Sequence, residues 1–197
     1  CTGSNRILFV GCGIPATDVI TGVTYAGTAM TLINKAQVSG DRYVYIFYLV
    51  APATGANNIV VSSSGSDVLR GAAASYTGAL QSGVPDASVT NTGNSTTPSG
   101  TLTTIADNCW LFSVAKAPGT IAAGASTTLR KMFQDTTPAD TNTEAIFDSN
   151  AAKTPAGSFS LNMTSGTGQW AVAMASFAPI AVVAGTKSFR SLLGVGI

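Results

Sequence analysis

Histidine does not occur in these 197 residues, and Glu144 is the only glutamate. Without an imidazole there is no Ser/His/Asp or Cys/His nucleophile system, and no Cys/His zinc site. Paired carboxylates are the one acid–base route left. Glu144 and Asp148 share strand parity, but four residues at about 3.3 Å each hold their backbones roughly 13 Å apart, beyond the roughly 6.5–9.5 Å of an inverting glycosidase. Charge is scarce too: Asp, Glu, Lys and Arg make up 10% of the chain, against about 25% in ordinary globular domains. Ten cations against nine anions leave a net charge of +1, which gives no electrostatic footprint for nucleic acid. No apolar run reaches the roughly 18 residues of a membrane span. The expectation is a protein that is not an enzyme and has no cofactor, no nucleic-acid partner and no membrane span.

Cysteine is sparse and odd in number. Cys1, Cys12 and Cys109 have no metal-ligand spacing. Cys12 ends the run Ile7-Leu8-Phe9-Val10 and Cys109 precedes Trp110-Leu111-Phe112, so both are expected as small buried strand residues with free thiols. A Cys12–Cys109 disulfide is the alternative. Cysteine at position 1 points to processing, truncation or an incomplete start. The acylated cysteine of a lipoprotein is the weaker reading, because Thr2-Gly3-Ser4-Asn5 leaves little tether. Calcium is the most plausible ion, through oxygen ligands from Asp135, Asp140, Asn142 or loop carbonyls, with local turn hydrogen bonding as the plainer role for these residues. Asn94-Ser95-Thr96 and Asn162-Met163-Thr164 fit the glycosylation pattern, but a chain this rich in Ser and Thr produces such matches by accident.

What is present is β-forming. Hydrophobic residues reach 45% and glycines number 21, and apolar stretches recur every 10–15 residues between turn residues, with no long 3.6-residue stripe. The pattern predicts strands over 5–13, 19–25, 29–37, 41–50, 57–64, 68–76, 87–90, 101–106, 109–116, 127–133, 144–148, 158–163 and 169–177. Clusters such as Pro52-Ala53-Thr54-Gly55, Asn91-Thr92-Gly93-Asn94 and Thr136-Thr137-Pro138-Ala139-Asp140 supply the turns. The expected fold is an all-β, two-sheet antiparallel sandwich over residues 1–180, followed by an extended apolar arm over 181–197.

Two strands carry extra information. In 41–50 both parities are apolar, with Tyr43, Tyr45, Phe47 and Leu49 on one face and Val44, Ile46, Tyr48 and Val50 on the other, so both faces should be covered. In 169–177, Trp170, Val172 and Met174 share one face and Ala171, Ala173 and Ala175 the other. The cover is expected to be either the domain's own core or a neighbouring subunit. Gly11-Cys12-Gly13-Ile14-Pro15-Ala16 matches a dinucleotide fingerprint, but the next residues return to a β pattern instead of opening a helix, so the match is read as chance.

An ordered series of motifs runs through the chain: Ser4-Asn5-Arg6-Ile7-Leu8-Phe9-Val10-Gly11, Val23-Thr24-Tyr25-Ala26-Gly27-Thr28-Ala29-Met30-Thr31, Tyr48-Leu49-Val50-Ala51-Pro52-Ala53-Thr54-Gly55, Gly71-Ala72-Ala73-Ala74-Ser75-Tyr76-Thr77-Gly78 and Gln169-Trp170-Ala171-Val172-Ala173. The series resembles a widespread, poorly characterised β-sandwich module of phage structural proteins and bacterial surface proteins. The resemblance spans residues 4–180 and implies a jelly-roll-like sandwich with no catalytic residues. The strand that usually precedes the first motif is expected to be missing here.

Beyond Pro179 the chain changes character. Phe189, Arg190, Leu192, Leu193, Val195 and Ile197 belong to an apolar tail with two cations and no acid. Left free, it would expose hydrophobic surface, so these six residues are the candidate assembly contacts, docking on the domain itself, a neighbouring copy or a scaffold. The functional expectation is a structural component of a phage or similar particle, a capsid decoration, fibre or filament subunit at the virion surface or outside the cell. Its partners would be copies of itself, or a capsid or scaffold protein. The alternative is a carbohydrate-binding or adhesive module recognising surface glycans through Tyr25, Tyr43, Tyr45, Trp110 or Trp170, each of which also suits the core.

Overall fold

β-branched and aromatic runs between Gly-, Asn- and Pro-containing turns give fifteen strands and no helix among the described residues. The computed structural model describes residues 1–15, 17–38, 42–66, 68–134 and 142–181. They form an antiparallel β-sandwich, as the sequence pattern predicts. One central sheet is ordered β4 (Thr31–Val38), β5 (Arg42–Val50), β1 (Ile7–Pro15), β7 (Arg70–Tyr76). The other is ordered β12 (Thr127–Gln134), β13 (Asn142–Ser149), β10 (Trp110–Pro118), β15 (Gln169–Phe177), β8 (Ala87–Asn94).

Each central sheet has a second cover. β3 (Thr28–Ala29), β2 (Ile20–Tyr25) and β6 (Ile59–Ser63) form a small sheet on the outer side of the first. β11 (Ala122–Ala123), β14 (Ser158–Thr164) and β9 (Ser99–Thr103) do the same for the second. The period-2 geometry of a strand then sorts the side chains into three buried layers. Val44 and Ile46 of β5 face the opposite central sheet, while Tyr43, Tyr45 and Phe47 face β2. Two-sided burial of this strand is therefore real. On β15, Ala171 and Ala173 lie in the inter-sheet core, and Trp170, Val172 and Met174 pack with Leu102, Leu161 and Met163. The chain itself covers both faces of β15, so the alanine row is not left for a neighbouring subunit.

The inter-sheet core is centred on Phe9. Its ring stacks on Phe112 at 5.1 Å between centroids and 19° between planes, meets Phe177 at 5.1 Å, and meets the edge of Tyr76 at 6.2 Å. Further along β1 the layer is polar and narrower, and Gly11 and Gly13 allow it. A Cβ on Gly11 would lie 2.6 Å from a methyl of Ile146, and one on Gly13 would fall inside the Glu144 carboxylate. The G-x-G match is thus a device for close sheet packing.

Two local expectations need correction. Asn91-Thr92-Gly93-Asn94 is strand, not turn: β8 pairs with β15 along its length, from Ser176↔Ala87 to Gln169↔Asn94. Gly93 is there because a Cβ would collide with the indole of Trp170. The single strand expected over 29–37 is two, since the chain leaves the outer sheet at β3 and joins the central one at β4. Ala26 and Gly27, both at positive φ (50° and 78°), make the tight hairpin between β2 and β3.

Candidate interaction surface

Glu144, Lys116 and Asp148 are buried. Glu144 and Lys116 are cross-strand partners on β13 and β10, each 0–1% exposed, with Arg70 of β7 facing them from the other sheet. Burial pushes the Glu144 carboxyl well above its ordinary range, and the charges of Lys116 and Arg70 oppose that shift. One strand turn away, the buried Asp148 accepts hydrogen bonds from the Tyr76 hydroxyl at 2.8 Å and from Arg130 Nε at 2.6 Å. The two acids are thus engaged with different partners. Neither opens onto a cleft.

Cys12 and Cys109 are free thiols, not a disulfide. Cys12 is buried between β1 and the outer sheet, where desolvation and the Glu144 charge raise its pKa. Burial, with Asp86 nearby, pushes Cys109 up to about 12. Both stay protonated at neutral pH, which removes them as nucleophiles. Of the proposed calcium ligands, Asp135 and Asp140 lie outside the described residues, and Asn142 Oδ1 accepts from Arg42 Nε at 2.8 Å.

Four of the five candidate glycan-platform aromatics are core residues: Tyr25, Tyr43, Tyr45 and Trp170 are all buried. Asp18, which also pairs with Lys35, accepts from the Tyr45 hydroxyl at 2.5 Å, and these bonds hold the Asp18 carboxyl below its ordinary value, Lys35 contributing most. Trp110 alone is half-buried. It borders a shallow depression of about 380 Å³ with Tyr76 and Phe177, rimmed by Thr2, Ser75 and Thr77.

Four of the five ordered motifs meet at one end of the sandwich. Arg6 Nε donates to Pro52 O at 3.0 Å, and Tyr25 Oη donates to Ala53 O and Gly55 O at 3.3 and 3.2 Å. Gly78 N donates to Ser4 O and Ala79 N to Asn5 O, while Gln81 Nε2 reaches Arg6 O at 3.1 Å. Cys1 and Gly55 exchange two bonds of 2.9 Å. These residues latch the loop 51–55 and the end of β7 onto the start of β1. The fifth motif works elsewhere, with Trp170 Nε1 bonded to Ser95 Oγ at 3.0 Å.

What remains open lies along β7. Among the described residues no strand pairs with its outer edge, because β7 ends the order β4-β5-β1-β7. The outer sheet stops short of it as well, so Gly71, Ala73 and Ser75 are exposed. Between β7 and β6 runs an apolar groove of about 260 Å³, floored by Val10 and Cys12 and walled by Ile59, Val61 and Leu69. Ile59 and Leu69 are each 37% exposed and Val68 is 55% exposed, and an unpaired edge beside apolar side chains is a template for another strand. Nothing in the sequence marks this groove directly. Ile59-Val60-Val61 falls in the strand expected over 57–64, and the residues of 71–75 in the one expected over 68–76. The six candidate contacts of the arm, Phe189, Arg190, Leu192, Leu193, Val195 and Ile197, lie outside the described residues.

Comparison of the chain with protein-family models, curated proteins and solved structures returns no match.

Proposed function

We propose that this chain is a non-enzymatic structural component of a phage or similar particle, such as a capsid decoration, fibre or filament subunit, working by protein–protein contact at a virion surface or outside the cell. The observation that carries the reading is the pairing of a sequestered interior with one open apolar edge. Glu144, Lys116 and Asp148 are spent inside the sandwich, so an already sparse set of charges leaves a neutral Ser/Thr/Asn surface with little like-charge repulsion between copies. The motif series supports the same direction, since its residues hold the frame together and surround no cleft.

The measurement is mass in solution for the full chain and for a form ending at Ala181, together with co-sedimentation with the native particle. The full chain is expected to self-associate or to bind the particle, and the shortened form to stay folded and lose at least about tenfold in affinity, or 1.4 kcal/mol. A full chain that is monomeric and binds no particle would sink the proposal.

The half-buried Trp110 favours a second reading, a glycan-binding surface module. A shallow aromatic depression with hydroxyl-bearing rim residues suits a sugar ring. On a glycan array, binding that disappears in Trp110→Ala while the fold persists is the expected result for this class. A blank array with the native chain removes it.

A further inference from the structure

We infer that the ligand of the depression beside Trp110 is an uncharged hexopyranose, plain or N-acetylated, presented as the end of a glycan. The inference rests on the glycan-binding reading of that depression and adds the class of sugar it selects.

The floor is aromatic and fixed in place. Tyr76 meets Trp110 at 6.3 Å between centroids and 40° between planes, and meets Phe177 at 4.9 Å and 48°. Trp110 and Phe177 are directly opposed on β10 and β15, and Phe9 contacts both Tyr76 and Phe177 from the core side. The Tyr76 hydroxyl is spent on the buried Asp148 at 2.8 Å, so what the ring has left for a ligand is its carbon body. A rigid floor of this kind loses little freedom on binding and suits the C–H face of a pyranose.

The rim is hydroxylic. Thr2, Ser75 and Thr77 are exposed, and no hydrogen bond to another described residue occupies their hydroxyls. The ordered motifs put them there. Ser75, Tyr76 and Thr77 belong to the motif over 71–78, and Gly78 N donates to Ser4 O at 3.2 Å, which draws the first motif against it. Gly3, at φ 81°, permits the close approach, since a Cβ there would stand 2.7 Å from Thr77 Cγ2. Hydroxyls both donate and accept, so three of them around an apolar floor match the ring hydroxyls of a sugar.

Charge selects the class. Among the described residues no Lys, Arg, Asp or Glu lines the depression. Asp148, behind Tyr76, is matched by Arg130 Nε at 2.6 Å, and Arg6 is held by Gly3 O at 2.6 Å and Pro52 O at 3.0 Å. A sialic acid, uronate or sulfated sugar would give up hydration with no cation lining the depression to receive it. A quaternary ammonium would meet aromatic rings without a free carboxylate beside them. The volume of about 380 Å³ lies at the low end of the roughly 300–1,000 Å³ of small-molecule clefts, which fits a chain end better than a run of sugars.

The test is an array probed with the full native chain, carrying hexose- and N-acetylhexosamine-ended glycans beside sialylated, uronate and sulfated ones. The best ligand is then titrated against Thr77→Val and Trp110→Ala, with thermal unfolding as the check on folding. The neutral-ended glycans should be retained, with affinity changing less than about twofold between roughly 0.05 and 0.5 M salt, because no charged contact is there to be screened. Thr77→Val keeps the shape and loses the hydroxyl, so affinity should fall about three- to tenfold at an unchanged unfolding midpoint. Trp110→Ala should lose about tenfold or more. Binding confined to acidic glycans, or competition by free choline, overturns the uncharged class while a ligand at the depression still stands. Neutral binding that neither variant weakens places the site elsewhere and overturns the inference as well. A chain that retains no glycan removes the glycan reading and this inference with it.

Discussion

Phe9→Ala is expected to lower the free energy of unfolding by about 3–5 kcal/mol, the range for emptying a large aromatic site in a packed core. The ring lies between the two central sheets and touches three aromatic neighbours, Phe112 and Phe177 at 5.1 Å and Tyr76 at 6.2 Å. Sheets held by hydrogen bonds on both sides have little freedom to close over the void, so most of the cavity should persist. Phe9→Leu keeps much of the volume and should cost clearly less. Urea denaturation of both variants measures the difference. Equal losses would show that the site collapses, and that this contact is not the centre of the sandwich.

Lys116→Met should cost about 3–5 kcal/mol at pH 8, because Lys116 is the buried cross-strand neighbour of Glu144 and its loss strands a buried carboxylate without that opposing charge. The effect should depend on pH in a defined direction. Burial holds the Glu144 carboxyl above its ordinary value of 4.5, so the folded state keeps this proton to higher pH than the unfolded chain does. Folded stability therefore falls as pH rises from about 4.5 towards the raised value. Loss of the Lys116 ammonium removes a charge that opposes the shift, so the fall continues to higher pH. At pH 4 the carboxyl is protonated in both states, so the variant should then nearly match the native chain. Adding Glu144→Leu to Lys116→Met should restore most of the stability and flatten the profile, since a matched apolar pair leaves no stranded charge. Denaturation at pH 4, 6 and 8 reads these outcomes cleanly because there is no histidine to titrate in that window. An equal loss at pH 4 and pH 8 would mean the cost is packing and not charge.

Much of the architecture was legible from residue order. Two apolar parities in 41–50 announced a strand covered on both sides, and the large and small alternation of 169–177 placed Trp170 and Ala171 on opposite faces correctly. The turn assignment at 91–94 failed because Gly93 looks the same whether glycine serves a turn or makes room for a ring, and only the position of Trp170 decides between them. Of the aromatics weighed as a glycan platform, Tyr25, Tyr43, Tyr45 and Trp170 took the core role that their apolar runs favoured. Tyr43 and Tyr45 sit in a run apolar on both parities, but that β2, a distant segment, supplies their cover was not legible in it. The groove was invisible altogether: Val10, Ile59 and Leu69 come from three separate strands that adjoin only after the outer sheet stops short of β7.

The sequence by itself determined that histidine-based chemistry is absent and that the described residues form an antiparallel sandwich, because side-chain inventory and period-2 patterning are local properties. Tertiary structure alone decided that Glu144 is buried across from Lys116 with the charge of Arg70 nearby, that Gly13 leaves room for it, and that among the described residues no strand pairs with the outer edge of β7 beside an apolar groove. Those facts depend on which sheet stacks on which, and stacking is set by the summed packing of residues far apart in the chain, which no local pattern encodes.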